Sequence, residues 1–162
     1  MTEATDDKVP KISGPRVEPK SGDAPEHLIV LVHGYGADGN DLIGLAGPWA
    51  QAMPKVAFVA PDGPDPCGMS PVGRQWFPLT NMNAEERRDG VRQAAPILNT
   101  FIDRELVRYG LSDRELALVG FSQGTMMSLH IGLRRAQAPA AIIGFSGMLT
   151  GTSHLADEIR VK

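Results

Sequence analysis

Two glycine-rich segments carry the residues of this 162-residue chain that could do chemistry. The first is Gly34-Tyr-Gly36-Ala-Asp-Gly39, a G-x-G-x-x-G run between an apolar stretch and a helical one. Asp62 even stands near the offset where a dinucleotide fold places its ribose-binding acid. A pyrophosphate there would need a helix N-terminus free to offer N–H groups and positive dipole to an anion. Asp38, Asn40 and Asp41 occupy that end, two of them negatively charged. A tight turn with a capped helix is the better reading, and a dinucleotide-binding Rossmann domain is the more distant one.

The second segment is Gly120-Phe-Ser122-Gln-Gly124. It follows the apolar run Leu116-Ala-Leu-Val119 and leads straight into Thr125-Met-Met-Ser-Leu129. G-x-S-x-G between a strand and a helix lifts a serine above the sheet edge on a strained turn. Gly120 and Gly124 leave strand and helix room to touch. Ser122 is then the candidate nucleophile, and the Gln123 N–H points at the oxyanion formed when it attacks a carbonyl. The first glycine turn would supply a second donor, the Tyr35 N–H, each donor being worth about 3 kcal/mol of transition-state stabilisation. The alternative, an ordinary glycine turn, leaves the agreement of strand, turn and helix unexplained.

Positioning these turns takes an alternating scaffold, and the chain has one. Leu28–Val32 reads as a strand buried on both faces, followed by a helix from about 41 to 53 capped by Asn40. A strand at 56–60 stops at Pro61, and a long loop rich in Pro, Gly and Met runs from 61 to 84. Helical spacing of Val91, Ala94, Ala95, Leu98, Ile102 and Leu106 predicts a helix over 84–109. Asn83 and Glu86 would cap its start, Gly110 would end it, and Pro96 should kink its first turns. A strand at 116–120, a helix at 123–136 and a strand at 141–145 complete the pattern. The order predicts an α/β fold: a mostly parallel sheet with helices on both faces, in three layers. Residues 1–26, with Pro10, Pro15, Pro19 and Pro25, read as a weakly ordered arm with a short edge strand, and 27–162 as the domain proper.

Composition sets the class. With 42% hydrophobic residues the chain can bury a core, and 16 basic against 19 acidic residues leave a charge of −3. That balance argues against nucleic acid as a partner. The longest aliphatic run, Leu28–Val32, is too short to cross a bilayer, so no stable membrane insertion is expected. One cysteine, Cys67, and an acidic N-terminus without an apolar stretch suggest a cytoplasmic setting.

Taken together, the motifs resemble the α/β-hydrolase family of phospholipases/carboxylesterases, which includes the acyl-protein thioesterase-like enzymes. The matching pieces are His33-Gly-Tyr-Gly-Ala-Asp-Gly-Asn-Asp-Leu42, Ala60-Pro61, Arg74-Gln-Trp-Phe77, Gly120-Phe-Ser-Gln-Gly124 and Phe145-Ser-Gly147. They stand in the family's order and cover nearly all of residues 13–150. The resemblance implies a serine hydrolase for carboxylic esters, with thioesters or lysophospholipids as variants, using a Ser-Asp-His triad and no metal or organic cofactor. It implies Ser122 as nucleophile, Tyr35 and Gln123 as oxyanion donors, and His33, Gly34 and Gly36 as support for the oxyanion loop. By analogy, Met69, Trp76, Phe77 and Met148 would line the substrate pocket; core packing is an equal reading of them. Thr125 departs from the glycine many members carry, and narrowing of the approach is the expected consequence.

The larger departure is at the end. The family places the triad Asp and His on loops after later strands, and this sequence stops at Lys162, so both are expected to be absent. His130 is eight positions along the helix from Ser122, about 12 Å away, and reads as a core residue. His27 precedes its strand at the end far from the site. His154, with Asp157 one turn on, is the remaining candidate, and an ordinary surface pair is the plainer reading. Loss of the triad histidine can cost on the order of 10⁶ in rate, roughly 8 kcal/mol, so these residues alone should be nearly inactive. The readings, in order, are an incomplete chain of an active esterase, a part supplied by another chain, and a non-catalytic interaction module. With no outer neighbour, the 141–145 strand would offer an apolar edge for self-association or for a missing C-terminal segment.

Overall fold

Every residue of the run Leu28–Val32 is buried, and alternate side chains go to opposite faces. Leu28, Val30 and Val32 enter one core cluster; Ile29 and Leu31 enter another. A strand that must serve two cores has no polar positions, which is why the run is apolar throughout.

The computed structural model describes residues 9–68 and 70–160. In chain order the elements are β1 (Arg16–Val17), β2 (His27–Val32), α1 (Gly39–Ile43), α2 (Ala46–Ala52) and β3 (Val56–Val59). A small ribbon of β4 (Asp65–Pro66) and β5 (Arg74–Gln75) precedes α3 (Ala84–Tyr109). Then come β6 (Leu116–Phe121), α4 (Gln123–Gly132), β7 (Ala141–Phe145) and α5 (Leu155–Glu158). The main sheet runs β1-β3-β2-β6-β7, parallel except for β1, which lies antiparallel on β3. α3 and α4 cover the face carrying Leu28, Val30, Val32, Leu116 and Leu118; α1 and α2 cover the face carrying Ile29, Leu31, Phe58 and Val119. This is the three-layer α/β arrangement the alternation implied.

Several details differ from the sequence reading. The helix expected over 41–53 is two short ones, because Pro48 has no N–H for the Gly44 carbonyl and its ring would crowd it. Its N-cap is Asp38, not Asn40: the Asp38 carboxylate accepts the Asn40 and Asp41 N–H groups, and the Asp41 carboxylate accepts the Asp38 N–H. α3 stays one helix through the exposed Pro96, with Asn83 capping its start and left-handed Gly110 its end. α4 ends at Gly132, four residues early, where Arg134 turns back to the Ile131 carbonyl. Residues 9–26 are no loose arm: Ile12 sits in the core, and Arg16 forks onto the buried Glu105 of α3 at 2.8 and 2.5 Å. Residues 1–8 lie outside the described residues.

β7 is the outermost strand. Its inner face is served, since Ile142 packs against the α3–α4 core. On the other face α1 and α2 do not extend that far. Phe121, Ile143 and Phe145, with Met148 just beyond, are 46–52% exposed. Among the described residues no strand pairs with the outer edge of β7.

Candidate active site

β6 ends in the turn that the G-x-S-x-G pattern requires. Ser122 has φ 52° and ψ −113°, a left-handed conformation forced on a non-glycine residue. The turn can be this sharp because strand and helix nearly touch. A Cβ at Gly124 would stand 1.9 Å from the Val32 carbonyl oxygen, and one at Gly120 would stand 2.5 Å from the Gly124 oxygen. The Ser122 N–H is held by the Phe145 carbonyl at 2.8 Å, and the hydroxyl itself makes no hydrogen bond among the described residues.

The first glycine turn comes up against this elbow. A Cβ on Gly34 would lie 3.3 Å from Ser122 Cβ, so the two motifs, far apart in sequence, share one small space. Gly36 takes φ 83°, which only glycine adopts freely, and its N–H donates to the Arg74 carbonyl at 2.9 Å. Arg74 N–H returns a bond to Ala37 O at 2.8 Å, and its guanidinium donates to the Gly63 and Pro64 carbonyls. Among the described residues the Tyr35 and Gln123 N–H groups carry no hydrogen bond. Two unengaged donors near a serine hydroxyl are what an oxyanion needs.

His33 fixes that turn from below. Gly63 N–H can only donate, so His33 Nε2 accepts it at 2.8 Å, and Nδ1–H donates to the Gly34 carbonyl at 2.7 Å. Burial lowers the His33 pKa, so the ring is neutral with both nitrogens occupied and cannot serve Ser122 as a base. The Trp76 ring lies tilted against it, centroids 5.4 Å apart, and its indole N–H donates to the His33 carbonyl at 2.9 Å.

From sequence, Gln123 counts only through its backbone N–H. Its side chain is fully buried: Oε1 accepts the Trp76 N–H at 2.9 Å, and Nε2 donates to the Phe77 carbonyl at 2.8 Å. Elbow, Trp76-Phe77 segment and His33 are thus joined in one chain of hydrogen bonds. A long polar residue at the first position of a helix rich in apolar and small residues was the available signal. Thr125 likewise does something other than narrow the approach. Buried under β7, its hydroxyl accepts the Phe145 N–H at 3.0 Å and lies 2.8 Å from both the Gly120 and Phe145 carbonyls. Its methyl end fills the space that the absent side chains of Gly144 and Gly147 leave.

The expected pocket residues divide. Trp76 and Phe77 are 2% exposed and belong to the core, with Phe77 filling the space over Gly90. Their contribution at the elbow is through backbone groups and the indole N–H, not a lining surface. Met148 is half exposed beyond β7, and Met69 lies outside the described residues. Among the histidines, His27 begins β2 at its far end, His130 faces α3 and α5 from α4, and His154 sits in an exposed turn before α5. None hydrogen-bonds Ser122 among the described residues.

Residues 13–161 match the family described as Phospholipase/Carboxylesterase. The chain belongs to that family. Within it, the chain is 35% identical over 135 residues to Esterase YpfH of Escherichia coli, covering 79% of this chain and 55% of that one. It is 29% identical over 126 residues to Acyl-protein thioesterase 1 of Schizosaccharomyces pombe, covering 75% and 55%. The chain therefore spans about half the length of these relatives. The crystal structure of esterase PE8 superimposes with a TM-score of 0.90 at 42% identity, over 94% of this chain and 72% of that one. The crystal structure of Arabidopsis thaliana SOBER1, at 19% identity and a TM-score of 0.62 over 82% of this chain and 67% of that one, shows the shared fold. The family's α/β-hydrolase architecture is the sheet described above.

Proposed function

We propose that this chain carries the nucleophile of a serine hydrolase for carboxylic esters, with thioesters as a variant. The observation that supports it is the meeting of the strained Ser122 elbow with two unengaged N–H donors, Tyr35 and Gln123. Ser122 Oγ attacks the acyl carbonyl, its proton passes to a base, and the oxyanion is held by the two N–H groups. Expulsion of the alcohol or thiol leaves an acyl-Ser122 that water hydrolyses. The names of the relatives, an esterase and a thioesterase, support this substrate class. No base reaches Ser122 among the described residues, so these 162 residues by themselves are expected to turn over esters slowly. No described helix is long and apolar enough to cross a membrane. A small-molecule substrate and a cytoplasmic setting complete the reading.

Intact mass before and after a fluorophosphonate tests it. One adduct, lost in Ser122→Ala, is expected from protein supplied by its natural source. A folded protein that gains no adduct would overturn the hydrolase reading and favour the second one, a non-catalytic module working through β7. The exposed Phe121, Ile143 and Phe145, beside a strand edge that no other strand pairs with among the described residues, support that second reading, and they support self-association under either. Light scattering should find species larger than a monomer.

A further inference from the structure

His130 is 5% exposed, and its Nδ1 is buried without a hydrogen-bond partner among the described residues. It lines a cleft of about 430 Å³ together with Arg92 of α3, Arg134 just beyond α4, and Asp157, Glu158 and Arg160 of the last segment. The Glu158 carboxylate bridges two of the arginines. One oxygen accepts from Arg92 at 2.8 Å; the other accepts from Arg134 Nε at 2.9 Å and Nη2 at 2.5 Å. Burial, with Arg134 nearby, pushes the His130 pKa down to about 4, so at neutral pH the ring is uncharged and has one N–H to give.

The donors outnumber what Glu158 can answer. Its two oxygens accept from Arg92 and Arg134, while Arg160 brings a third guanidinium and His130 its imidazole to the same lining. Three arginines against two carboxylates leave the lining at +1, and at +2 once the Glu158 carboxylate swings out. A phosphate group carries close to two charges at neutral pH and three terminal oxygens, enough for the arginines and the imidazole together. Glu158 sits on the solvent side, about a third exposed, on a helix of a single turn. With Arg92 also partly exposed, the carboxylate can swing outward without opening the core.

We propose that this cleft is a second binding site, apart from the elbow, for a phosphate group, and that the Glu158 carboxylate is its built-in occupant. The occupied form is the one described here. Phosphate displaces Glu158 onto the surface, takes over Arg92 and Arg134, and gains Arg160 and the His130 N–H.

Equilibrium dialysis of the 162-residue chain against labelled inorganic phosphate tests this, with methyl phosphate and acetate as competitors at matched ionic strength. Saturable binding is expected, displaced by methyl phosphate and not by equal acetate. Tighter binding of methyl phosphate would assign the site to an organic phosphate, and weaker binding to the free ion. Glu158→Gln should tighten binding about tenfold, equivalent to about 1.4 kcal/mol, by removing the internal competitor. His130→Phe in that background should weaken it by a similar factor. Binding that does not saturate, equal competition by acetate, or an affinity unchanged by Glu158→Gln would overturn the proposal. Should Glu158→Gln fail to fold, Arg92→Gln at an exposed position serves instead: phosphate bound as well as by the unaltered chain overturns the proposal, and lost binding sustains it.

Discussion

Gln123→Met isolates the brace between the elbow and the Trp76-Phe77 segment. Methionine has nearly the same length and fills the same buried space, so the cavity cost is small. What disappears is the acceptor for the Trp76 N–H and the donor for the Phe77 carbonyl, both of them buried. An orphaned buried group costs about 1–3 kcal/mol, which gives about 2–6 kcal/mol for two before relaxation. Small shifts of the Trp76-Phe77 backbone recover part of this, and about 3 kcal/mol is expected. For a chain of this size that lowers the thermal midpoint by about 6–12 °C. The assay is a urea titration and a thermal scan followed by near-ultraviolet circular dichroism, which reports the Trp76 environment. Hydrogen exchange at the Trp76 indole should quicken as well, since its partner, the His33 carbonyl, belongs to the same chain of bonds. A midpoint within about 2 °C of the unaltered protein, with an unchanged denaturant slope, would refute the reasoning.

Two other outcomes rest on separate observations. Ser122→Gly should raise stability by about 1 kcal/mol in urea denaturation while abolishing the fluorophosphonate adduct. Glycine relieves a φ of 52° that costs a serine about 1–3 kcal/mol, less the entropy glycine adds to the unfolded chain. Stability should also fall as the pH is lowered from about 6.5 to about 4, because burial keeps folded His130 from binding the proton that the unfolded chain takes up. Neighbouring Arg92 and Arg134 add to this, and Glu158 works against it. Allowing for solvent screening in the open cleft, the loss is about 2 kcal/mol, and His130→Leu should flatten that part of the urea midpoint's pH profile.

Much of the architecture was legible because it rests on local pattern. The continuous apolar runs of β2 and β3 marked strands buried on both faces, and the i, i+3, i+4 spacing over 84–109 marked α3 to within the residue. The capping roles of Asn83 and Gly110 were legible for the same reason, since each acts within one turn of its own position. At the start of α1 a short-range competitor has the same chemistry. Asp38 and Asn40 can both cap, and only the backbone angles at Asp38 decide between them.

The elbow was readable from the chain because Gly120, Ser122 and Gly124 stand within five positions, between an apolar strand run and a helical one. The glycine turn at 34–39 was readable in the same way, and the family through the resemblance of the motifs taken together. The roles of the side chains around these turns came only with the folded chain. Trp76 and Phe77 looked equally suited to a pocket and to a core, and sequence cannot say which face a loop residue turns inward. Gln123 and Thr125 find their partners 46 and 20 positions away, at Phe77 and Phe145. Such pairings exist only once β6 lies between β2 and β7 and the long loop folds over the elbow, and a hydrogen bond between remote residues leaves no periodic trace in the chain.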